Sequence, residues 1–85
     1  MAEDLDALAA RPGWTVDGPV ATFAPRAGDW YARVRQPQTA ERPHMRWHVA
    51  IVAPSGSVAY TSHASSVAEA RRTAEGQVRA RLEKP

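Results

Sequence analysis

The 85-residue chain contains no cysteine, which excludes disulfides, cysteine-ligated zinc and thiol catalysis. It also lacks a long apolar run, because no stretch approaches the ~20 apolar residues of a membrane-spanning helix. The acidic start, with Glu3, Asp4 and Asp6, has neither the basic nor the apolar region of a signal peptide. We therefore expect a protein of the reducing cytoplasm with no membrane role.

Lysine is scarce and the net charge is small. Lys84 accompanies ten arginines, and the formal net charge is +2. Richness in Ala, Arg, Val and Pro is typical of a GC-rich coding bias, so only the placement of the arginines can indicate an anionic partner. A chain of this length buries only ~60–65% of its unfolded surface, which leaves little room for a deep substrate cleft. We expect one domain over residues 1–85, without enzymatic activity.

The hydrophobic pattern predicts four strands and two helices. Pro19 and Pro25 bracket the first strand, which suits an edge position. Ser66 followed by Glu69 is typical of a capping box at the start of a helix. We expect strands at 20–24, 29–36, 45–53 and 57–62, a short helix at 3–10 and a long helix that begins at Ser66.

These elements predict an α+β fold of two layers. An antiparallel β-meander of three to four strands packs against the long C-terminal helix, with a short N-terminal helix beside it, in the order α-β-β-β-β-α. Val58 and Tyr60 are expected on one face of the last strand. Trp14, at the edge of a loop, is expected to cover one end of the core, with contact to a partner as the alternative. The predicted core consists of Trp30, Trp47, Val49, Ile51, Val67, Ala74, Val78 and Leu82.

No local motif points to catalysis or to a bound metal. No serine lies in a nucleophile elbow, and no motif brings two carboxylates together. His44 and His48 are four residues apart on one strand, ~13 Å along the chain, which is too far for one metal ion. The segment 54–57 lies between strands and is expected to form a hairpin and not a phosphate loop. We expect no catalytic residue, no metal site and no cofactor.

The one organised polar feature is the second face of the predicted sheet. It presents Tyr31, Arg33 and Arg35 beside Arg46 and His48. Arginines at such positions can contact phosphates, and a tyrosine can stack on a base or bond to a sugar. The same alternation is also typical of the solvated face of a one-sided antiparallel sheet.

A second group of arginines lies on the predicted C-terminal helix. Glutamates are interleaved with these arginines, which favours an ordinary solvated face with ion pairs along the helix. The group consists of Arg71, Arg72, Arg79 and Arg81.

Two segments of the chain resemble the arm-binding, AP2-like domains of tyrosine integrases. The strand Asp29-Trp30-Tyr31-Ala32-Arg33-Val34-Arg35 is similar to the Trp-x-Ala-Arg-Val-Arg strand of that family, and Ser66-Val67-Ala68-Glu69-Ala70 is similar to its helix start. The resemblance implies a three-stranded sheet whose basic face lies in the DNA major groove. By position, Arg33 and Arg35 would be the DNA-facing residues.

Two functions therefore remain open from the sequence. The first is a small non-enzymatic binding module that contacts nucleic acid through the basic face of its sheet. The alternative is a protein-interaction or homodimerisation module with no nucleic-acid role, in which edge strands or the sheet face form the contact.

Overall fold

The computed structural model of the protein describes residues 5–36 and 47–83. The predicted fold class is confirmed: an antiparallel β-meander packs against one C-terminal helix. The elements are a 3-10 turn at Asp6–Ala10, strands β1 (Trp14–Asp17), β2 (Val20–Phe23), β3 (Tyr31–Arg35), β4 (Trp47–Val52) and β5 (Val58–Ala64), and helix α1 (Val67–Leu82).

The sheet has five strands in the order β1-β2-β3-β4-β5, and every neighbouring pair is antiparallel. The sheet contains one strand that the sequence pattern did not predict, β1, which forms a hairpin with β2 through Gly18 and Pro19. Gly18 has a φ of 60°, as the first central residue of a type II′ turn requires. The expected edge position of β2 is therefore wrong. Pro19 lies in the turn and Pro25 lies beyond the strand, so neither removes a hydrogen bond from the ladder.

The N-terminal element is shorter than predicted and forms a 3-10 turn that begins at Asp6. Leu8 is its buried residue and anchors the turn in the core. The following Gly13 has a φ of 83°, and a Cβ at this position would lie 2.9 Å from Cε1 of Phe23. Glycine is therefore required here both by the backbone conformation and by the close approach of the aromatic ring.

The β4–β5 hairpin contains a bulge. Val52 pairs with Val58 whereas Ile51 pairs with Tyr60, so Ala59 has no partner on β4. A bulge of one residue reverses the side-chain alternation that follows it. The expectation that Val58 and Tyr60 share a face is therefore wrong, because the two residues lie on opposite faces of the sheet.

The core between the sheet and α1 differs from the predicted core at its margin. Trp14 is the most buried of the three tryptophans, with 4% of its surface exposed, and it packs with Phe23 at 5.2 Å between ring centroids. Three residues that were predicted to be buried are only partly buried: Trp30, Trp47 and Leu82. They lie at or next to the ends of β3, β4 and α1, where the two layers overlap least. The remaining five predicted core residues are buried: Val49, Ile51, Val67, Ala74 and Val78.

The helix begins as predicted. The Ser66 hydroxyl accepts a hydrogen bond of 3.1 Å from the backbone N–H of Glu69, which caps one of the free donors of the first turn. The Glu69 carboxylate in turn accepts a hydrogen bond of 2.9 Å from the hydroxyl of Ser65. Within the described ranges, no helix is long and apolar enough to cross a membrane.

Candidate functional site

The face of the sheet opposite α1 is the candidate site, and we call it the outer face. Helix α1 packs on the other face, because its buried residues join those of β3 and β4 in one core cluster. The outer face consists of the alternate strand residues that this cluster does not include: Thr15, Asp17, Val20, Thr22, Tyr31, Arg33, Arg35, His48, Ala50, Val52, Val58, Thr61 and His63.

Four of the five predicted site residues lie together on the outer face. Arg33 and Arg35 are exposed on β3, and Tyr31 is half-buried at the start of the same strand. His48 is the register partner of Arg35 on the neighbouring strand β4. The fifth predicted residue, Arg46, lies outside the described residues, as does His44.

The two β3 arginines have no ionic partner among the residues that the structure describes. Neither Arg33 nor Arg35 makes an ion pair or hydrogen bond with another described residue. The helix arginines behave differently: Arg71 bonds to Glu75 at 3.2 Å, and Arg81 bonds to Gln77 and lies over the Trp30 ring. Three of the four helix arginines, Arg71, Arg79 and Arg81, therefore make contacts within the fold. The charges of the β3 arginines, like that of the exposed Arg72, are left for solvent or a ligand.

Acidic residues are almost excluded from the outer face. Among the described residues of this face, Asp17 is the one carboxylate, and it lies on the edge strand β1. It shares a row across the sheet with Arg35, but β2 separates the two strands. At ~4.8 Å per strand spacing the backbones are about 10 Å apart, and no ion pair joins the side chains of Asp17 and Arg35.

The middle of the outer face is a shallow groove of about 250 Å³. Ala50 has a small side chain and lies between Arg33 and Thr61, its register partners on β3 and β5. Ala50 therefore forms a depression between its two taller neighbours, with the Arg33 side chain on one side and the Thr61 hydroxyl on the other. The residues that line the groove are Val20, Arg33, Arg35, His48, Ala50, Val58 and Thr61.

A pair of histidines lies beside the arginines of the outer face. His48 and His63 are register partners on β4 and β5, and their rings meet edge to face with centroids 5.1 Å apart. Burial, followed by the positive charges of Arg35, His63 and Arg33, lowers the pKa of His48 below its ordinary value. The Nδ1 atom of His48 is buried without a hydrogen-bond partner among the described residues. Both the lowered pKa and this burial favour the neutral imidazole when no anion is bound.

The sequence pattern did not predict that His63 belongs to this site. A hairpin without a bulge, continuing the Val52–Val58 register, would pair His48 with Ser62 and turn His63 toward the helix. The extra residue Ala59 shifts the pairing by one and brings His63 to the outer face. Only the bulge could have indicated that His63 lies on the outer face, and the alternation of residues in β5 does not reveal a bulge.

The described residues contain no group of three or more histidine, aspartate or glutamate side chains placed to hold a metal ion. The pair of His48 and His63 offers two donors, and Arg35 beside them repels a cation. The chemistry available in and beside the groove of the outer face is the binding of anions, through the guanidinium groups of Arg33 and Arg35, the imidazoles of His48 and His63, and the Thr61 hydroxyl.

No known protein family matches the chain, and no curated protein or solved structure is significantly similar to it. The resemblance to the arm-binding domains of tyrosine integrases therefore stays a prediction.

Proposed function

We propose that this protein is a small non-enzymatic module of the cytoplasm that binds nucleic acid through the outer face of its sheet. The observation that carries the proposal is the placement of Arg33 and Arg35. Both side chains are exposed, neither has an ionic partner in the described part of the chain, and both lie beside His48 on the face that the helix leaves open.

The charges on the outer face are more one-sided than ordinary solvation needs. Arg33 and Arg35 are two residues apart on a strand, ~7 Å, so their mutual repulsion in water costs about 0.6 kcal/mol. A neighbouring carboxylate would remove this cost, as Glu75 does for Arg71 on α1. Phosphate groups of a bound nucleic acid would supply the missing negative charge and would release their counterions on binding.

The experiment that tests the proposal compares two variants with the same net charge. Arg33→Ala/Arg35→Ala removes two charges from the outer face. Arg72→Ala/Arg79→Ala removes two charges from exposed positions on α1, which packs on the opposite face. Binding of a fluorescent oligonucleotide is measured by anisotropy as salt is raised from about 50 to 200 mM, where phosphate contacts lose affinity steeply.

We expect the β3 variant to bind weakly and to lose about one unit of salt slope for each missing phosphate contact. The α1 variant is expected to keep the wild-type slope, because its charges lie on the far side of the sheet. If the two variants weaken binding equally, only the net charge matters and the outer face is not the site. Thermal unfolding of both variants checks that the fold is intact.

A second candidate function, homodimerisation, is favoured by the edge strand β5. This strand has seven residues, carries no arginine, lysine, carboxylate or proline, and exposes Val58 by 52% and Tyr60 by 38%. Natural edge strands are usually protected from pairing by charges, proline, shortness or a bulge, and β5 has only the bulge at Ala59. The other edge, β1, has four residues and ends in Asp17. Antiparallel pairing of β5 with β5 of a second copy would join the two sheets.

Analytical ultracentrifugation tests the dimer with the variant Ala59→Lys, which places a charge on β5. If β5 pairs with a second copy, the wild type sediments as a concentration-dependent dimer and the variant as a monomer. A wild type that is monomeric at all accessible concentrations contradicts this candidate and leaves the nucleic-acid proposal untouched.

A further inference from the structure

We infer that the outer face binds single-stranded nucleic acid in preference to a duplex, with one unstacked base seated over Ala50. This inference rests on the proposed function and specifies the form of its ligand. It is carried by the shape of the groove, by the register of β3 against β4, and by the kinds of side chain around the depression.

The shape of the groove is concave where a duplex would need a protrusion. A paired base in a duplex exposes only its edge within a groove, and side chains must project into that groove to reach it. The centre of the outer face instead sinks to Ala50, with Arg33 and Thr61 standing on either side. A base can enter such a depression only after it leaves the stack, as bases in single strands do.

The register of β3 against β4 creates two neighbouring positions, each of which could hold one nucleotide. Arg33 lies directly across from Ala50, and Arg35 lies directly across from His48. A backbone that follows β3 would place one phosphate on each arginine. The base beside the first phosphate would then lie over Ala50, and the base beside the second would lie against the imidazole of His48.

The spacing of these two positions matches an extended strand. Residues two apart on a strand are ~6.7 Å apart, whereas successive base pairs of a stacked duplex rise by only 3.4 Å. Two bases held at this separation would have a gap between them about as thick as one base, so they would not stack on each other. Bases seated over Ala50 and His48 would therefore be splayed apart and not stacked, whereas the ~6.7 Å spacing of Arg33 and Arg35 suits the phosphates of a single strand and of a duplex alike.

The side chains around the depression suit the two surfaces of a base. Val20 and Val58 offer apolar contact to the faces of the ring, and His48 offers an aromatic surface for stacking. The Thr61 hydroxyl is exposed and makes no hydrogen bond with a described residue, so it can donate to or accept from the edge of a base.

The test compares single strands with their own duplexes. Oligonucleotides of about 12 nucleotides of mixed sequence, in DNA and in RNA, are titrated as single strands and as blunt duplexes at one salt concentration. We expect each single strand, or one of the two, to bind about tenfold more tightly than its duplex, the difference that one well-stacked base provides. Comparison of the DNA and RNA arms shows which sugar the face accepts.

Two variants make the test specific to the groove. Ala50→Leu fills the depression and is expected to lower single-strand affinity to the level of the duplex, while both arginines remain. Thr61→Val removes only the hydroxyl, keeps the β-branched shape, and is expected to weaken single-strand binding by a few-fold. Thr15→Val, an exposed position on β1 outside the groove, is the matched control and is expected to change nothing.

Duplex binding as tight as, or tighter than, single-strand binding would overturn this inference and leave the proposed function standing. Unchanged single-strand affinity in both Ala50→Leu and Thr61→Val would also overturn it, because the base would then lie elsewhere. Absence of binding to all four oligonucleotides, by contrast, would overturn the proposed function itself.

Discussion

At the scale of single residues, Trp14 links the N-terminal strand to the helix. Its indole Nε1 donates a hydrogen bond of 2.9 Å to the carboxylate of Glu75, and its ring packs on Phe23 in the core. Glu75 also accepts a hydrogen bond from Arg71 at 3.2 Å. One partly buried carboxylate therefore holds β1 against α1 across 61 residues of sequence, a contact that no local pattern could have predicted.

Trp14 should contribute more to stability than Trp47, although the sequence pattern favoured Trp47. Trp14→Ala is expected to lower the free energy of unfolding by ~3–5 kcal/mol, as expected for a buried aromatic residue. Trp47→Ala is expected to cost less, because Trp47 is only partly buried at the edge of the core. Urea unfolding of both variants measures the difference. Equal losses, or a larger loss for Trp47→Ala, would show that the core is centred elsewhere.

His48 makes stability depend on pH in a defined direction. Its pKa is lowered in the folded protein by burial and by the charges of Arg35, His63 and Arg33, so the unfolded chain binds a proton more readily. The stability contributed by neutral His48 is complete above the unfolded pKa of ~6.5 and is lost as the pH falls through the lower folded value. Asp17, the one described carboxylate of this face, lies too far away, on β1, to offset the repulsion.

We therefore expect the urea midpoint of the wild type to fall between about pH 7 and pH 5, and to fall less in His48→Gln, which cannot be protonated. The matched variant His63→Gln is expected to keep most of the dependence, because burial of His48, the largest cause, remains. Identical pH profiles for the wild type and His48→Gln would contradict this assignment. Nucleic-acid binding should change in the opposite sense and tighten on acidification, since protonation adds charge to the outer face.

At the scale of elements, the bulge at Ala59 decides which residues of β5 reach the outer face. Because the bulge absorbs one extra residue, deletion of Ala59 would make the hairpin regular and leave the later pairs unchanged: Thr61 would still pair with Ala50 and His63 with His48, both on the outer face. We therefore expect the deletion to keep β5 paired with β4 and to change stability by no more than about 1 kcal/mol, and Ala59→Thr to change it by no more than about 0.5 kcal/mol. Circular dichroism on heating and amide hydrogen exchange in β4 measure both effects. A deletion variant in which β5 detaches from β4 would contradict the pairing of Tyr60 with Ile51 and of Thr61 with Ala50.

The strands also show how far periodicity predicts this fold. In β3, strict alternation of apolar and polar residues places Arg33 and Arg35 on the open face, and the prediction of the site from these residues needs nothing further. In β1 there are only four residues, too few for a pattern, and the strand exists because the Gly18 turn returns the chain onto β2. In β5 the alternation is broken by the bulge, so His63 could be assigned to the site only from the pairing itself.

At the scale of the whole molecule, the charges divide between the two layers. On α1, the glutamates lie among the arginines, and Glu75 alone contacts Arg71 and Arg79. On the outer face, Arg33 and Arg35 lie beside two histidines and form no ion pair with a described carboxylate. The helix side thus carries arginines of which most are in contact within the fold, whereas the two arginines of the outer face are available to a partner.

The most direct test of this account is an NMR titration of ¹⁵N-labelled protein with a single-stranded oligonucleotide at about 50 mM salt, where phosphate contacts are strong. The account predicts amide shift changes along β3, β4 and β5, largest near Arg33, Ala50 and Thr61, with α1 unaffected and the changes reversed by added salt. Absence of any shift change, or changes confined to α1, would contradict the assignment of the outer face as a nucleic-acid-binding surface.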